Sequence, residues 1–532
     1  MTEQSRGQSA PDTDVAVLIA GAGPTGLLLA AELQRRGVRS LLIDAHDAPM
    51  GWDRATVVHP RSLEIFESLG IVDVVLEAGV RIRAARFHSD GEVLGALEFS
   101  NNGSRYGFDI GLSEETTERV LTEYLEGAGG AVTRSTRLVG LEQESDRVVA
   151  TLESGGERRE VGAAFLVGCD GFHSSVRAAA GIDYEGSTEE EPWAVFDAGV
   201  ENWSGGFDIT SAHFDETLVI LTPLPGERYR VYLRPPAGTT DLEATARAIL
   251  DRYSPGVTFT NVANPTPFRC HARVASRFRA GRVLLAGDAA HACSPTEGHG
   301  MNTGLQDACN LGWKLALACR GEGGEALLDS YESERRPVAA RIVQSGADSD
   351  AAQALIEPAE RAARDAEIVA TFSDPESIHH EAVAAAELDR SYAGSPIVSG
   401  DGDGVAAAGR LLPDTTPALT ADGERQPLHE LAHRTGHTAF VIGGPAASAE
   451  RVAGLLAELG ATIEAGTPFD AAFGFTVEGA GAGLGRIDAA TAAQFGIDGI
   501  TLLAVRPDRY IGLRRDEPGA AALSAYLEAL AA

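Results

Sequence analysis

Four residues near the amino terminus have the types and spacing of a nucleotide-binding turn: Gly21, Gly23, Pro24 and Gly26. The turn lies between the apolar run 15–20 and a helix-like run that ends at Gly37. Glycines at these positions let the backbone approach a pyrophosphate and let the helix pack closely, with its first amides toward the phosphates. Asp44 ends the next apolar run, where a carboxylate can accept hydrogen bonds from ribose hydroxyls. The complete unit predicts dinucleotide binding, but the turn alone does not distinguish NAD from FAD.

A second candidate site lies in the stretch GRVLLAGDAAHACSPTEGHGMN, residues 281–302. A buried strand that ends at Asp288 can present its carboxylate to the hydroxyls of a ribityl chain. The glycine-rich sequence after Pro295 leads into a helix, and the amides at a helix start favour negative charge. The candidate residues of this stretch are Gly287, Asp288, Pro295, Gly298, Gly300, Met301 and Asn302.

Three smaller features lie between these two sites. Asp170 stands in the turn after the apolar run 163–168, and taken alone it indicates only that a strand ends there. Arg54 precedes the segment that leads into the helix-like run IFESLG, and Glu114 lies in the helix-like segment 112–121.

In this order, the motifs resemble those of the class A flavoprotein aromatic hydroxylases over about residues 14–345. The resemblance implies non-covalent FAD, with Asp288 at the ribityl chain and Arg54 at the phosphates or at a mobile flavin. It also implies that Asp170 serves FAD and is linked to the nicotinamide cofactor. Glu114 replaces the Gln of the family; a Glu here either accepts ribityl hydrogen bonds or lies in solvent. Glu297 and His299 also depart from the family pattern, and His299 is expected to be a structural histidine.

The resemblance also implies the order of the reaction. Hydride from NADPH or NADH reduces FAD, O₂ reacts, and a flavin C4a-hydroperoxide transfers oxygen to the substrate. No second glycine-rich nucleotide unit is seen in the sequence, so the nicotinamide cofactor is expected to bind transiently. The flavin supplies the chemistry and the protein positions it, and no catalytic side chain is identified.

The leading prediction is hydroxylation of an aromatic or polyketide-type molecule in secondary metabolism. Baeyer–Villiger insertion and epoxidation stay open, because a fold does not fix a reaction. A flavin-dependent dehydrogenase without oxygen insertion and a non-catalytic FAD-binding partner also stay open. The candidate residues for a substrate pocket are Tyr106, Trp193, Phe196, His213, Pro223 and Tyr232, with Arg83 beside them. Each is also of a type that serves in an ordinary core or surface.

The predicted fold class is α/β: a Rossmann-type FAD-binding domain, an inserted antiparallel-sheet substrate domain and a C-terminal thioredoxin-like domain. The resemblance to the larger family members suggests the thioredoxin-like label, and the tail lacks the redox CxxC. The predicted bounds are 1–13 for a disordered lead-in; 14–85, 112–190 and 270–345 for the FAD-binding domain; 86–111 and 191–269 for the substrate domain; 346–400 for a helical segment and linker; and 405–532 for the C-terminal domain.

Composition limits the partners. The net charge is −33, from 77 acidic and 44 basic residues, which argues against nucleic acid and against an anionic membrane surface. The five cysteines form no CxxC, so neither a disulfide framework nor a metal site is expected. No apolar run approaches the ~20 residues that span a bilayer. A cytoplasmic enzyme is predicted, and a homodimer stays open.

Overall fold

The computed structural model describes residues 15–51, 55–189, 191–355, 357–464, 467–477, 483–519 and 521–532. The predicted lead-in 1–13 and Arg54 lie outside the described residues. The helices are Pro24–Gln34, Pro60–Ser68, Val72–Ala78, Glu114–Gly127, Ser175–Ala179, Leu242–Leu250, His299–Arg320, Glu325–Gln353, Pro358–Thr371, Pro375–Ala385, Leu428–Leu431, Ala449–Glu464, Ala489–Gln494 and Ala522–Ala531, with 3₁₀ turns at Phe99–Asn101 and Gly287–Ala289. In the part of the chain that the structure describes, no helix is long and apolar enough to cross a membrane.

The first sheet has eight strands and a parallel centre. Its strands are Arg279–Ala280, Val283–Leu285, Glu157–Gly168, Val15–Ala20, Ser40–Ile43 and Val132–Thr133 in spatial order, with Val148–Ser154 and Thr136–Gln143 added as an antiparallel extension of Glu157–Gly168. The strand Val15–Ala20 runs parallel to both neighbours. Parallel strands are buried on both faces, which explains why this strand is one uninterrupted apolar run. The predicted strand 15–20 is confirmed.

The helices that cover this sheet begin where the binding motifs lie. Gly23 caps Pro24–Gln34, and Pro24 stands in the first helical turn, where its missing amide hydrogen costs nothing. The helix His299–Arg320 begins at Gly298, which has a φ of 72°, and Gly321, with a φ of 73°, follows its last residue. The carboxyl ends of the parallel strands and these helix starts therefore share one edge of the sheet.

The second sheet is largely antiparallel and has seven strands. Its spatial order is Thr258–Phe268, Trp193–Glu201, Arg228–Leu233, Leu218–Leu224, Ile209–Phe214, Ala84–Ser89 and Glu92–Glu98. One face packs on the helix Leu242–Leu250. The other face lies across a cavity from the edge of the first sheet where the parallel strands end, called here the ligand edge. Two three-stranded sheets join the parts: Tyr184–Thr188, His271–Ala275 and His291–Ala292; and Val57–Val58, Asp109–Gly111 and Val80–Ile82.

The third sheet is C-terminal and mixed. Its strands are Ser399–Gly400, Ile511–Asp516, Ile500–Val505, His437–Gly443, Phe469–Thr476, Gly485–Arg486, Ala418–Leu419 and Arg425–Gln426. Ser399–Gly400, inside the stretch expected to be a linker, pairs with Ile511–Asp516. One face shares a core with Trp313, Leu317 and Leu327 of the helices that cover the first sheet.

Candidate active site

A central cavity of about 1530 Å³ separates the ligand edge of the first sheet from the second sheet. Single-ligand pockets typically measure about 300–1,000 Å³, so the volume suits a dinucleotide together with a second molecule. The predicted residues that line this cavity are Gly21, Gly23, Pro24, Asp44, Glu114, Asp170, Asp288, Pro295, Gly298, Gly300, Met301 and Tyr232.

The first glycine turn is built so that no side chain fits. Gly21 has a φ of 101°, and a β-carbon on it would overlap the Cys169 carbonyl oxygen. A β-carbon on Gly26 would overlap the Gly21 carbonyl oxygen. Gly26 itself does not line the cavity; it lets the helix pack against the turn. Gly23 has space around it toward the cavity, where the backbone can approach a phosphate.

Asp44 holds the glycine turn from the next strand. Its Oδ2 accepts a hydrogen bond of 2.7 Å from the Ala22 amide, and its Oδ1 accepts one of 2.8 Å from the His46 amide. The side chain is nearly buried yet lines the cavity. The same carboxylate can therefore order the turn and accept ribose hydroxyls.

Asp288 presents an uncommitted carboxylate. The preceding residue, Gly287, has a φ of 59°, and its amide donates to Asp307 at 3.0 Å. Asp307 is in turn fixed by Arg335 and His291, at 2.7 and 2.6 Å. Among the described residues the Asp288 carboxylate receives no hydrogen bond, although it is half-buried and lines the cavity. It fits a ligand that brings several hydroxyl donors.

The long helix points its amino terminus at the cavity. Gly298, His299, Gly300 and Met301 line it, and the Gly298 cap has no side chain to satisfy the first amides. Asn302 does not line the cavity. Its Oδ1 accepts from the His59 amide at 3.0 Å, and its Nδ2 donates to the Val57 and Gly298 carbonyl oxygens at 2.9 Å. Asn302 thus fastens the loop before Pro60 to the start of this helix.

The Asp170 carboxylate is hydrogen-bonded to groups of the protein itself. Its Oδ2 accepts hydrogen bonds from the Ser175 amide at 2.7 Å and from the Val176 amide at 3.1 Å. The Ser174 hydroxyl donates to Oδ1. The carboxylate therefore accepts the first two amides of the short helix Ser175–Ala179, whose N-cap is Ser174, although Asp170 also lines the cavity.

Glu114 lies at the start of Glu114–Gly127. Ser113 caps that helix, and Glu114 Oε2 accepts a hydrogen bond of 3.4 Å from the Ala55 amide. The residue lines the cavity next to Glu118. A carboxylate at this position can accept hydrogen bonds from the ribityl chain of a bound FAD, which is one of the two roles expected for Glu114.

The predicted substrate residues separate into two groups. Tyr232 lines the cavity, and its hydroxyl lies 3.0 Å from Thr56 Oγ1. Trp193 is buried behind that wall, 6.5 Å from Phe268 between ring centroids. Phe196, His213 and Pro223 occupy strand positions on the opposite face, toward Leu242–Leu250 and the segment that follows it. Burial lowers the pKa of His213 to about 2, so this ring is neutral.

The remaining two candidates lie elsewhere. Tyr106 packs in the main core, with its ring 6.1 Å from that of Phe108. Arg83 has an exposed side chain. The apolar wall is instead formed by residues that the sequence did not single out: Phe87, Phe99, Phe214, Ile220, Phe268 and Phe372. Phe372 follows a helix distant in sequence and stacks on Phe87 at 4.9 Å between centroids.

Sequence reasoning also missed a buried ionic cluster at the helix start. His59 Nδ1 lies 3.2 Å from Asp109 Oδ1, and His299 Nδ1 lies 2.9 Å from Glu387 Oε1. The two imidazole rings are 5.1 Å apart. No local pattern links these four residues, since three separate segments bring them to the helix that contains His299.

The cavity fits FAD. Its glycine turn and Asp44 suit an adenosine diphosphate, Asp288 suits a ribityl chain, and the helix start suits an electron-rich ring edge. An αβ dinucleotide unit whose cavity continues into a second, aromatic-lined sheet defines a flavin-dependent oxidoreductase with room for a substrate.

Comparison with known proteins identifies the family. Residues 14–346 match the family model described as FAD binding domain. Pentachlorophenol 4-monooxygenase of Sphingobium chlorophenolicum is 38% identical over 348 residues, which cover 64% of this chain and 64% of that protein. That match spans less than two thirds of the relative's length. 12-Dehydrotetracycline 5-monooxygenase/anhydrotetracycline 6-monooxygenase of Streptomyces rimosus is 30% identical over 522 residues, 93% of this chain and 94% of that protein.

Solved structures agree over nearly the whole chain. OxyS anhydrotetracycline hydroxylase from Streptomyces rimosus has a TM-score of 0.77 and 30% identity, covering 97% of this chain and 99% of that chain. The ternary complex of aklavinone-11 hydroxylase with FAD and aklavinone has a TM-score of 0.77 and 25% identity, covering 98% of this chain and 100% of that chain. This chain belongs to the family of FAD-dependent aromatic hydroxylases, and the predicted family and fold class are confirmed.

Proposed function

We propose that this enzyme uses NADPH or NADH and O₂ to hydroxylate an aromatic, polyketide-type small molecule. The observation that carries the proposal is the continuity of one cavity from the glycine turn to an aromatic-lined end. When bound, FAD supplies hydride acceptance and oxygen activation. The side chains of this chain then bind the substrate, orient it and exclude water.

The aromatic end of the cavity favours a large, flat, mostly apolar substrate. Phe87, Phe214 and Phe372 form a stack, with Phe87 4.9 Å from Phe372 and 6.0 Å from Phe214 between centroids. Aromatic walls of this kind gain stabilisation from offset stacking in addition to area burial. Two relatives are named for dehydrotetracycline and anhydrotetracycline and for aklavinone, and these names support a substrate of related type here.

Several polar groups lie near the aromatic end of the cavity and can orient the substrate. The Tyr232 and Thr56 hydroxyls lie 3.0 Å apart on the wall that joins the two sheets. Arg364 Nη2 donates to the Phe214 carbonyl oxygen at 2.9 Å and pairs with Asp365 Oδ1 at 2.6 Å, so much of this cation is already satisfied by the protein. Ring hydroxyls or carbonyls of a substrate can pair with such groups, because buried polar atoms need partners.

The test is turnover of a panel of polyketide aromatics under ¹⁸O₂ with NADPH or NADH. We expect a product heavier by one ¹⁸O as a ring hydroxyl. An ¹⁸O-labelled ester, lactone or epoxide would replace hydroxylation by Baeyer–Villiger insertion or epoxidation. An oxidised product without ¹⁸O would identify a dehydrogenase, and bound FAD without turnover of any panel member would favour a binding role.

A matched pair of variants locates the substrate within the cavity. Phe372→Ala removes one member of the aromatic stack and should raise KM for the aromatic substrate about ten- to a hundredfold. Val93→Ala, at an exposed position of the seven-stranded sheet, is the control and should leave KM unchanged. An unchanged KM in Phe372→Ala would place the substrate elsewhere.

Three further expectations belong to this proposal. FAD should leave the chain on denaturation, because its binding is non-covalent. A homodimer is testable by light scattering of the eluted holoenzyme, and a cytoplasmic location by fractionation of the source cells.

A further inference from the structure

A pair of imidazoles lies between two carboxylates at the start of His299–Arg320. His59 pairs with Asp109 at 3.2 Å, and His299 pairs with Glu387 at 2.9 Å. His59 is 4% exposed and His299 9%, so water screens neither ring strongly. Both rings line the cavity. They stand beside the helix end that already concentrates positive potential.

His59 has one ring nitrogen left for a ligand. Nδ1 is engaged by Asp109, whereas Nε2 is buried and has no hydrogen-bond partner among the described residues. A β-carbon built on Gly298 would lie 3.4 Å from this Nε2, which places the nitrogen at the cap of the helix. A buried donor without a partner is costly. An acceptor on a molecule bound in the cavity would remove that cost.

The charges around His59 favour its protonated form. Burial alone would lower the pKa of His59, but Asp109 and, more weakly, Glu387 raise it to about 9. Asp109 comes from the strand Asp109–Gly111, His299 and Glu297 from the helix start and its preceding turn, and Glu387 from the segment after Pro375–Ala385. Glu297 lies 3.7 Å from His299 and adds a further negative charge.

We propose that His59 is a charged residue of the flavin site whose imidazolium, held by Asp109, stabilises the anionic reduced flavin over the oxidised form. The proposal rests on FAD occupying the cavity as in the proposed function. Two-electron reduction to the anion takes up one proton. A negative charge near His59 makes its imidazolium more stable. Above the raised pKa that His59 has in the oxidised enzyme, reduction therefore draws a second proton onto the imidazole. Charge and protons therefore balance.

The test is the midpoint potential of bound FAD in the holoenzyme, measured by equilibration with reference dyes between pH 6 and 10. His59→Asn keeps a donor for Asp109 but has no charge. We expect its preference for reduced over oxidised FAD to fall about tenfold at pH 7, a shift of about 30 mV to more negative potential. His380→Asn is the matched control, because His380 is an imidazole on the same cavity that is exposed to solvent, where electrostatic effects are screened.

The pH profile supplies an independent readout if His59→Asn binds FAD poorly. In the wild-type enzyme the potential should fall about twice as steeply with pH once His59 titrates, near pH 9. Asp109→Asn should move that break toward the ordinary histidine pKa of about 6.5. Equal potentials in His59→Asn and wild type, or a profile without a break in wild type and with no change in Asp109→Asn, would overturn the inference.

These outcomes are separable from the fate of the proposed function. The potential is measured without substrate, so failure of every substrate in the panel leaves the His59 result intact. Conversely, normal ¹⁸O incorporation with an unchanged potential in His59→Asn would leave the function standing and remove the charge role. A loss of stability in His59→Asn without a change in potential would mean that the pair is structural only.

Discussion

Arg506 and Glu334 form a fully buried, two-pronged ion pair, with Nη1 2.7 Å from Oε1 and Nη2 2.8 Å from Oε2. Glu334 belongs to Glu325–Gln353, and Arg506 follows a strand of the C-terminal sheet. Lys314 also contacts Glu334, at 2.7 Å, and Asp508 pairs with Arg506. The pair therefore joins the C-terminal part of the chain to the helices that cover the dinucleotide sheet.

Breaking this pair should destabilise the whole chain. Arg506→Met leaves Glu334 and Asp508 with one fewer cation in a buried setting, and such losses cost about 3–5 kcal/mol. The measurement is the free energy of unfolding from a urea titration of the holoenzyme. Arg451→Met, which breaks an exposed pair with Glu517, is the control and should change little. Equal effects of the two variants would contradict the structural importance of the buried pair.

Alanine variants of Asp288 and Asp170 should differ in whether they lower FAD affinity or the stability of the fold. Asp288→Ala removes an uncommitted carboxylate from the cavity and should weaken FAD binding about ten- to a hundredfold, since a charge-assisted hydrogen bond is lost. Asp170→Ala removes the acceptor of the first two amides of Ser175–Ala179 and, like the loss of a helix cap, should cost about 0.5–2 kcal/mol of stability with a smaller effect on FAD. Equilibrium dialysis against FAD and thermal unfolding separate the two. Wild-type FAD affinity in Asp288→Ala would refute its assignment.

The glycine turn should reject even a methyl group. Gly26→Ala places a β-carbon against the Gly21 carbonyl oxygen, so the helix must move and the phosphate site with it. We expect little or no FAD in the purified variant. Gly454→Ala, inside Ala449–Glu464 with nothing within 4 Å of the added carbon, should instead be neutral or more stable by about 0.4–1 kcal/mol. FAD content is read from the flavin absorbance of the purified protein.

Removal of the C-terminal part should expose a core. A chain that ends at residue 400 leaves Trp313, Leu317 and Leu327 without their partners Leu523, Tyr526 and Leu530. Apolar surface of this extent promotes aggregation, so the truncated chain should be insoluble. The residues after 400 contain no cysteine and so cannot form the dithiol of an active thioredoxin. A soluble, FAD-loaded truncation that lacked only one redox half-reaction would contradict this structural role.

Acid should weaken the fold through Glu387. Burial alone would raise the pKa of Glu387, but His299, with His59 and Arg390, lowers it to about 2. Its contribution is therefore present above the ordinary Glu value of about 4.3 and is lost as the pH falls toward 2, on the order of 3 kcal/mol in total. Glu387→Gln should be less stable than wild type at pH 7, with a difference that shrinks below pH 4. Glu376→Gln, at an exposed position, should retain the wild-type profile; a constant difference for Glu387→Gln would contradict the assignment.

Local sequence determined the dinucleotide unit. The strand Val15–Ala20, the turn from Gly21 to Gly26 and the carboxylate of Asp44 lie within one βαβ unit, where backbone conformation and short-range packing fix the geometry. The strand that leads to Asp288 and the helix that starts after Gly298 are likewise local in sequence. Their types and spacing were therefore sufficient to predict a flavin family.

Tertiary structure alone decided the substrate end and the ionic clusters. Alternation along a strand places Ala212 and His213 on opposite faces but does not determine which face meets the cavity. In the folded chain Phe214 and Ile220 form the wall, whereas Phe196 and His213 lie on the other face. Phe372 reaches that wall from a helix that no local pattern ties to the sheet. The pairing of Arg506 with Glu334 spans 172 residues of sequence. Such contacts depend on how whole elements pack. The hydrophobic effect that drives this packing is non-directional, so the order of residues along the chain does not specify which distant elements meet.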